Sequence, residues 1–192
     1  MTPAPLSRGM PFATMPTAMK LTHSKSRRDP RLVAVHRGGR LIPSRHKLLT
    51  AWAADCAAHV LPLFTAVRPH DDRPRLAIEA ARAWARGTGT AGASCDAAIA
   101  AHAAARAAPP GPGREAARAA GHAAATAHAA DHELGAAAYA IRAVRLATTP
   151  ARAAAAGRRE CRWQRQRIPR GVRMLVLSDQ RNRGPRLWSA FS

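Results

Sequence analysis

The sequence is poor in most of the residues that announce chemistry. Its 192 residues include only eight aromatics, and leucine, isoleucine, valine and phenylalanine together make 29 positions, about 15 %. Eleven acidic residues stand against 31 lysines and arginines, for a net charge of +20. Cys56, Cys95 and Cys161 are far apart and form no CxxC pair, which excludes a disulfide scaffold or zinc ribbon and suits a reducing compartment. No apolar run reaches the ~18 residues of a membrane span. The prolines of "MTPAPLSRGMPFATMPTAMK" leave no continuous signal-peptide core, so the chain reads as cytoplasmic, with no membrane partner. There is no phosphate-binding loop ending in Gly-Lys-Ser/Thr, and no GxSxG elbow. The four glutamates, at 79, 115, 133 and 160, include no evident acid/base pair. Neither a catalytic set nor a cofactor is expected, and the chain does not read as an enzyme.

Alanine and arginine fill the space. So few large aliphatics beside so high a charge would point to disorder. Alanine reverses that reading for the middle of the chain, because it is the best helix former and lets helices approach closely. The charge sits mostly at the ends. Residues 1–43 hold eight basic residues and one acidic, residues 44–149 twelve and eight, and residues 150–192 eleven and two. Basic ends of this kind attract nucleic acid or an acidic partner.

Three parts follow from the pattern. Residues 1–18 lack periodicity and read as a disordered or mis-called N-terminal extension. Residues 19–43 read as an extended basic arm, with β-like alternation at Leu32, Val33 and Val35 and a Gly38-Gly39 turn. Residues 44–192 read as a single all-α domain, antiparallel helical hairpins packed as an alanine-rich bundle.

In that domain Ser44 can cap a first helix whose stripe is Leu48, Trp52, Cys56, Val60, Leu63 and Val67. Pro62 should kink it, and His59 beside it reads as bonding a loosened carbonyl. Pro74 and Gly87 bound a second helix, and a third runs from Ser94 to Ala108, ahead of Pro109-Pro110-Gly111. Arg114 to Leu146 is too long for one globular helix and divides near Asp131 and Gly135. After Pro150 a helix to about Arg167 precedes a short one with Val172, Leu175 and Val176 inward, and the aromatics of "RLWSAF" dock.

"GHAAATAHAADH", Gly121 to His132, is the densest polar constellation. On one helix His128 and His132 project about 40° apart with Asp131 beside them, as a helical zinc pair requires, while His122 lies roughly 120° away from His128. These four residues are the metal candidates. Position 129 is alanine, so the glutamate of HExxH is missing. The stronger expectation is a helix–helix corner. In it Gly121 and Gly135 let backbones approach, Asp131 caps the second helix, and His128 and His132 bridge the turn by hydrogen bonds.

Several blocks, in order from about Met19 to Phe191, carry a resemblance. They are "MKLTHSKSRRDPRLVAVHRGGRLIPSRHKLLTAWAADCAAHVLPLF", "RPRLAIEAARAWARG", "AARAAGHAAATAHAADHELGAAAYAIRAV" and "ECRWQRQRIPRGVRMLVLSD". Together the chain resembles the immunity-five-like family of immunity proteins from bacterial polymorphic-toxin systems. The resemblance implies a protein that binds and neutralises a cognate protein toxin without catalysis. Residues 1–18 have no counterpart, which makes Met19 a candidate start alongside Met1. The charge departs from an inhibitor of basic nucleases, which is usually acidic. The toxin is then of another class, or Asp55, Asp71, Asp72 and Glu79 present a local acidic patch.

Two other functions compete. A nucleic-acid-associated protein would use the basic ends. However, Arg159, Arg162, Arg165 and Arg167 surround Trp163 rather than sharing one face with it, so only weak nonspecific binding is expected. A helical metalloenzyme would use His122, His128, Asp131 and His132.

Overall fold

In a computed structural model, residues 29–192 are described. They form seven α-helices: α1 Pro43–Thr65, α2 Arg73–Arg86, α3 Ala91–Ala107, α4 Pro112–Ala125, α5 Glu133–Leu146, α6 Pro150–Gln166 and α7 Arg173–Arg183. No strand occurs among the described residues. The expected residues 1–28 of the extension and arm lie outside them.

The helices are joined by short turns and pack mainly against sequence neighbours, as helical hairpins do. α4 lies at the centre, against α1, α2, α3 and α5, while α6 covers α5. Two cores result. The first is almost all alanine, from Ala53, Ala54 and Ala57 on α1 through Ala101, Ala104 and Ala105 on α3 to Ala116, Ala120 and Ala124 on α4, plugged by Phe64 and Ile78. Small side chains gain little each from leaving water. They allow close helix approach, and the dispersion contacts of many buried atoms add up. The second core holds the larger residues, with Leu41, Leu49, Trp52, Leu134, Ile141, Val172, Val176 and Phe191 between α1, α5, α6 and α7. α1 is long and apolar enough to span a bilayer by length and composition, with mean hydropathy 1.3, yet half of that stretch is buried inside the bundle.

The helix ends show which local signals prevailed. Pro43, whose fixed φ suits the first helical position, starts α1 with Ile42 as its cap, so Ser44 does not cap it. Gly87 ends α2 in the left-handed conformation at φ 85°. Thr90 caps α3 by accepting from the Ala93 amide at 3.1 Å. Ser94, the expected first residue of this helix, lies inside it, donates to the Ala80 carbonyl on α2 at 3.2 Å and is buried. α1 runs on past Pro62 to Thr65. In its expected stripe Trp52, Cys56 and Val60 are buried, Leu48 and Leu63 are half-buried, and Val67 beyond the helix is exposed.

The segment 29–42 does not keep the β-like alternation. It makes two 3-10 turns, Pro30–Leu32 and Val35–Arg37, closed by a single parallel bridge between Ala34 and Leu41. Gly38 at φ 80° permits the reversal. The result is a hook that buries Leu32 and Leu41 in the second core. At the other end Phe191 docks and is buried. Trp188 stays half-exposed under the Arg142 guanidinium, 4.8 Å from its ring centre. The three cysteines are unpaired.

Candidate functional site

The corner between α4 and α5 contains the histidine constellation. α4 stops at Ala125, a turn follows, and Ala130–His132 make a 3-10 turn leading into α5. The helix therefore breaks inside the motif, and His128 and His132 are not on one helical face. His128 is exposed in the turn, and its carbonyl accepts from Arg37 Nη1 at 3.2 Å. His132 occupies the cap position of α5, so Asp131 does not cap that helix, and the Asp131 carbonyl accepts from Arg183 Nη1 at 2.8 Å.

What the fold brings together is His102, His122 and His132. His122 Nδ1 lies 3.3 Å from His132 Nδ1. The His122 ring stacks on Tyr139 with centroids 5.1 Å apart, and meets the His102 ring edge-on at 5.1 Å. The glycines serve these rings rather than a backbone approach. A Cβ on Gly135 would stand 2.6 Å from His122 Nδ1, and one on Gly121 2.7 Å from His102 Cε1. Burial pushes His122 down to about 3, with the neighbouring His102, His132 and Arg118 adding to the effect, and burial lowers His102 as well. His122 is thus neutral at pH 7, one ring nitrogen donating and the other accepting. An open cavity of about 470 Å³ beside it is lined by Ile99, His102, Arg106, Arg118, His122 and Tyr139. Among the described residues no group of three or more histidine, cysteine or acidic side chains is placed to hold a metal ion.

A third bond from the bundle to the corner comes from His46, to which no motif in the sequence points. Buried on α1, it donates from Nε2 to the Thr126 carbonyl at 2.6 Å, eighty residues away. No local spacing could have revealed it.

The four acidic candidates lie on α1, on α2 and just before α2, each paired with arginine. Asp55 meets Arg82 at 2.9 Å and Asp71 meets Arg73 at 2.6 Å. Arg75 holds both Asp72, at 3.0 Å, and Glu79, at 2.6 Å. Three guanidinium groups against four carboxylates leave this surface close to neutral, and the Arg73 and Arg75 bonds hold Asp71 and Asp72 below the usual carboxylate range.

Two buried networks carry the remaining polar chemistry. Glu133 and Asp179 are buried together, and Arg183 spans both, at 3.3 Å from Glu133 Oε2 and in a tight ion pair with Asp179. Burial and the Asp179 carboxylate push Glu133 well above its ordinary range, which favours it as the protonated partner. The spacing of Asp179 and Arg183, four apart on one helix, was a legible signal for half of this cluster. In the second network His59 Nδ1 meets Glu160 Oε2 at 2.8 Å, and its ring stacks on Trp163 at 3.7 Å. Gln164 Nε2 donates to Glu160 Oε1 at 2.9 Å and to the Ala137 carbonyl at 3.1 Å, and Trp52 Nε1 donates to the Gln164 carbonyl. His59 therefore bonds a carboxylate across helices, not a carbonyl loosened by Pro62. The first network ties α5 to α7, and the second ties α6 to α1 and α5.

A family model described as "Imm-5 like putative immunity protein" matches residues 40–171. No curated protein and no solved structure matches the chain.

Proposed function

This chain belongs to the Imm-5 like putative immunity protein family, and from that membership we propose that it binds a cognate bacterial toxin and neutralises it by occupying its surface, without catalysis of its own. The observation that carries this reading is the extent of the match, which reaches from the hook through all of α1 to α6. The polar groups support the same reading. His46, Glu133, Asp179, Glu160 and Gln164 each engage partners that join helices, so they stiffen the bundle. A rigid scaffold suits an inhibitor, because little side-chain and loop freedom is then lost on binding. We place the encounter in the cytoplasm of the producing cell.

The exposed α6 arginines Arg152, Arg158, Arg159 and Arg162 make no ion pair with a described carboxylate. They support weak, salt-sensitive attraction to nucleic acid as a secondary property.

Co-expression with the toxin domain encoded by the neighbouring gene tests the proposal. Cells carrying this protein should survive toxin induction, and the two proteins should copurify. Cell death at the normal rate, with the protein soluble and helical, would overturn the reading for that toxin.

A further inference from the structure

The hook, the first turn of α1 and one face of α7 enclose a groove of about 460 Å³. Its walls carry Arg31 and Arg40 from the hook, Arg45 from α1 and Arg181 from α7. Backbone bonds fix the hook side. The Arg40 amide donates to the Pro30 carbonyl at 2.7 Å and the Leu41 amide to the Val33 carbonyl at 2.9 Å, so Arg31 and Arg40 are held near one another. Arg31 is the one wall arginine paired among the described residues, with Asp29 at 2.6 Å, and it also donates to Ser178 Oγ at 3.1 Å. Arg40, Arg45 and Arg181 are exposed and have no described carboxylate within ion-pair distance. This is the reverse of the α1–α2 surface, where every candidate carboxylate already has its arginine.

The floor and rim are apolar. Leu41 is buried and Leu175 half-buried beneath the arginines. Met174 beside them is 73 % exposed, more than any other large apolar side chain described. Arginine and methionine together are enriched in protein interfaces, where a guanidinium fork grips a carboxylate and a flexible thioether fills an irregular gap. No aromatic ring lines the groove, so bases would find nothing to stack on. The 28 residues that precede the hook hold five basic side chains and no acidic one, and so do not complement it.

From this charge and shape we infer that the groove is the docking site for the partner, and that the partner presents an acidic segment with an apolar side chain beside its carboxylates. The inference rests on the toxin-binding reading and gives it a surface. Guanidinium forks take the carboxylates, and Met174 and Leu175 take the apolar side chain.

The test compares two triple variants of the full chain with equal loss of charge. One is Arg40→Ala/Arg45→Ala/Arg181→Ala in the groove, and the other is Arg152→Ala/Arg158→Ala/Arg159→Ala on α6. A third variant, Met174→Glu, places a like charge on the rim. The probe is a fluorescent peptide of alternating glutamate and leucine at physiological ionic strength, with a random duplex DNA as comparison. The wild type and the α6 variant should bind the peptide alike. The groove triple should bind at least about tenfold more weakly, and Met174→Glu should weaken binding too. Peptide binding by the groove triple equal to that of the α6 triple overturns the inference, whether both hold or both fall. Tighter binding of DNA than of peptide, lost in the groove triple, also overturns it and makes the groove a phosphate-backbone site. Groove-dependent peptide binding without any protection against the neighbouring-gene toxin overturns the toxin reading and leaves the groove's ligand chemistry standing. Protection that survives in the groove triple overturns the groove and leaves the toxin reading standing.

Discussion

His122 on α4 and His132 at the head of α5 meet nitrogen to nitrogen, Nδ1 to Nδ1 at 3.3 Å, across a break in the helix. The contact needs at least one neutral ring, since two imidazoliums would have only donors to offer. Burial supplies that condition by holding His122 neutral down to about 3.

Stability should therefore fall with acid before the carboxylates titrate. An unfolded histidine takes up a proton near pH 6.5, whereas His122 in the folded protein does so only near 3. Its contribution is present above the unfolded value and is lost as pH falls from 6.5 toward 3. The loss is on the order of 2 kcal/mol by pH 5. Urea unfolding at pH 7 and pH 5 measures it. His122→Gln should flatten that dependence, and an unchanged slope would show that His122 is not held neutral by the fold.

Gly135 and His122 should be coupled. Alanine at 135 gains roughly 1 kcal/mol of helix propensity but places a methyl 2.6 Å from the His122 ring. Gly135→Ala should destabilise the wild type by about 1–2 kcal/mol net, because a packed ring has little room to move. In a His122→Ala background the clash is gone, and the same change should stabilise. Thermal or urea unfolding of the four proteins in a double-mutant cycle decides it, and additive effects would contradict the packing described.

His128 does not bridge the corner as expected, whereas His46, of which no role was expected, ties the corner to α1. His128→Ala should change stability by no more than about 0.5 kcal/mol, since the side chain is exposed. His46→Ala strands a buried carbonyl at Thr126 and should cost about 1–3 kcal/mol. Melting curves of the two variants rank them directly.

The same pair marks where sequence reasoning runs out. The division of Arg114–Leu146 near Asp131 was legible, although Gly135, the other expected marker, lies inside α5 and makes room for the His122 ring. The limits of α2 at Pro74 and Gly87 were legible too. Caps were harder. Thr90 and Ser94 are both good cap residues, and only the Ala80 carbonyl on another helix assigns Ser94 elsewhere. The helix–helix corner expected of "GHAAATAHAADH" is present, and the turn at 126–132 denies the i, i+4 pair of a continuous helix; what the local pattern assigns wrongly is the bonding, to His128 and to an Asp131 cap. His102 and His46 reach the corner through tertiary packing, and His59 finds Glu160 from 101 residues away. Alanine itself blurs the pattern, since its presence on every face leaves little periodicity by which to orient a helix.

The Glu133–Asp179–Arg183 cluster should respond to pH in the opposite direction from His122. Glu133 titrates higher in the folded state than in the unfolded chain. Its contribution is complete below about pH 4.5 and declines as pH rises through the elevated value. Glu133→Gln should keep the hydrogen bonds and flatten this alkaline-side decline. Arg183→Ala removes the cluster's cation and should cost about 3–5 kcal/mol, because the Asp179 carboxylate then stays buried beside Glu133 with no counter-charge. Denaturation between pH 5 and 9 separates the two variants, and a Glu133→Gln profile that parallels the wild type would refute the assignment.

The α1–α2 acidic surface offers the last comparison, between two candidate docking faces. Asp55→Asn, Asp72→Asn and Glu79→Gln remove three of its four carboxylates without touching the arginine groove. Those carboxylates are already engaged by Arg82 and Arg75, so a partner would have to displace an internal pair to use them. Exposed pairs of this kind contribute little to stability, and the triple variant should fold normally. It should also protect cells from the neighbouring-gene toxin about as well as the wild type, within roughly threefold in dose, since no interaction worth a tenfold change is lost. The Arg40, Arg45 and Arg181 variant should lose that protection at the same expression level. A stable acidic-face variant that no longer protects would move the docking site to α1 and α2, and would bring back a basic toxin as the partner.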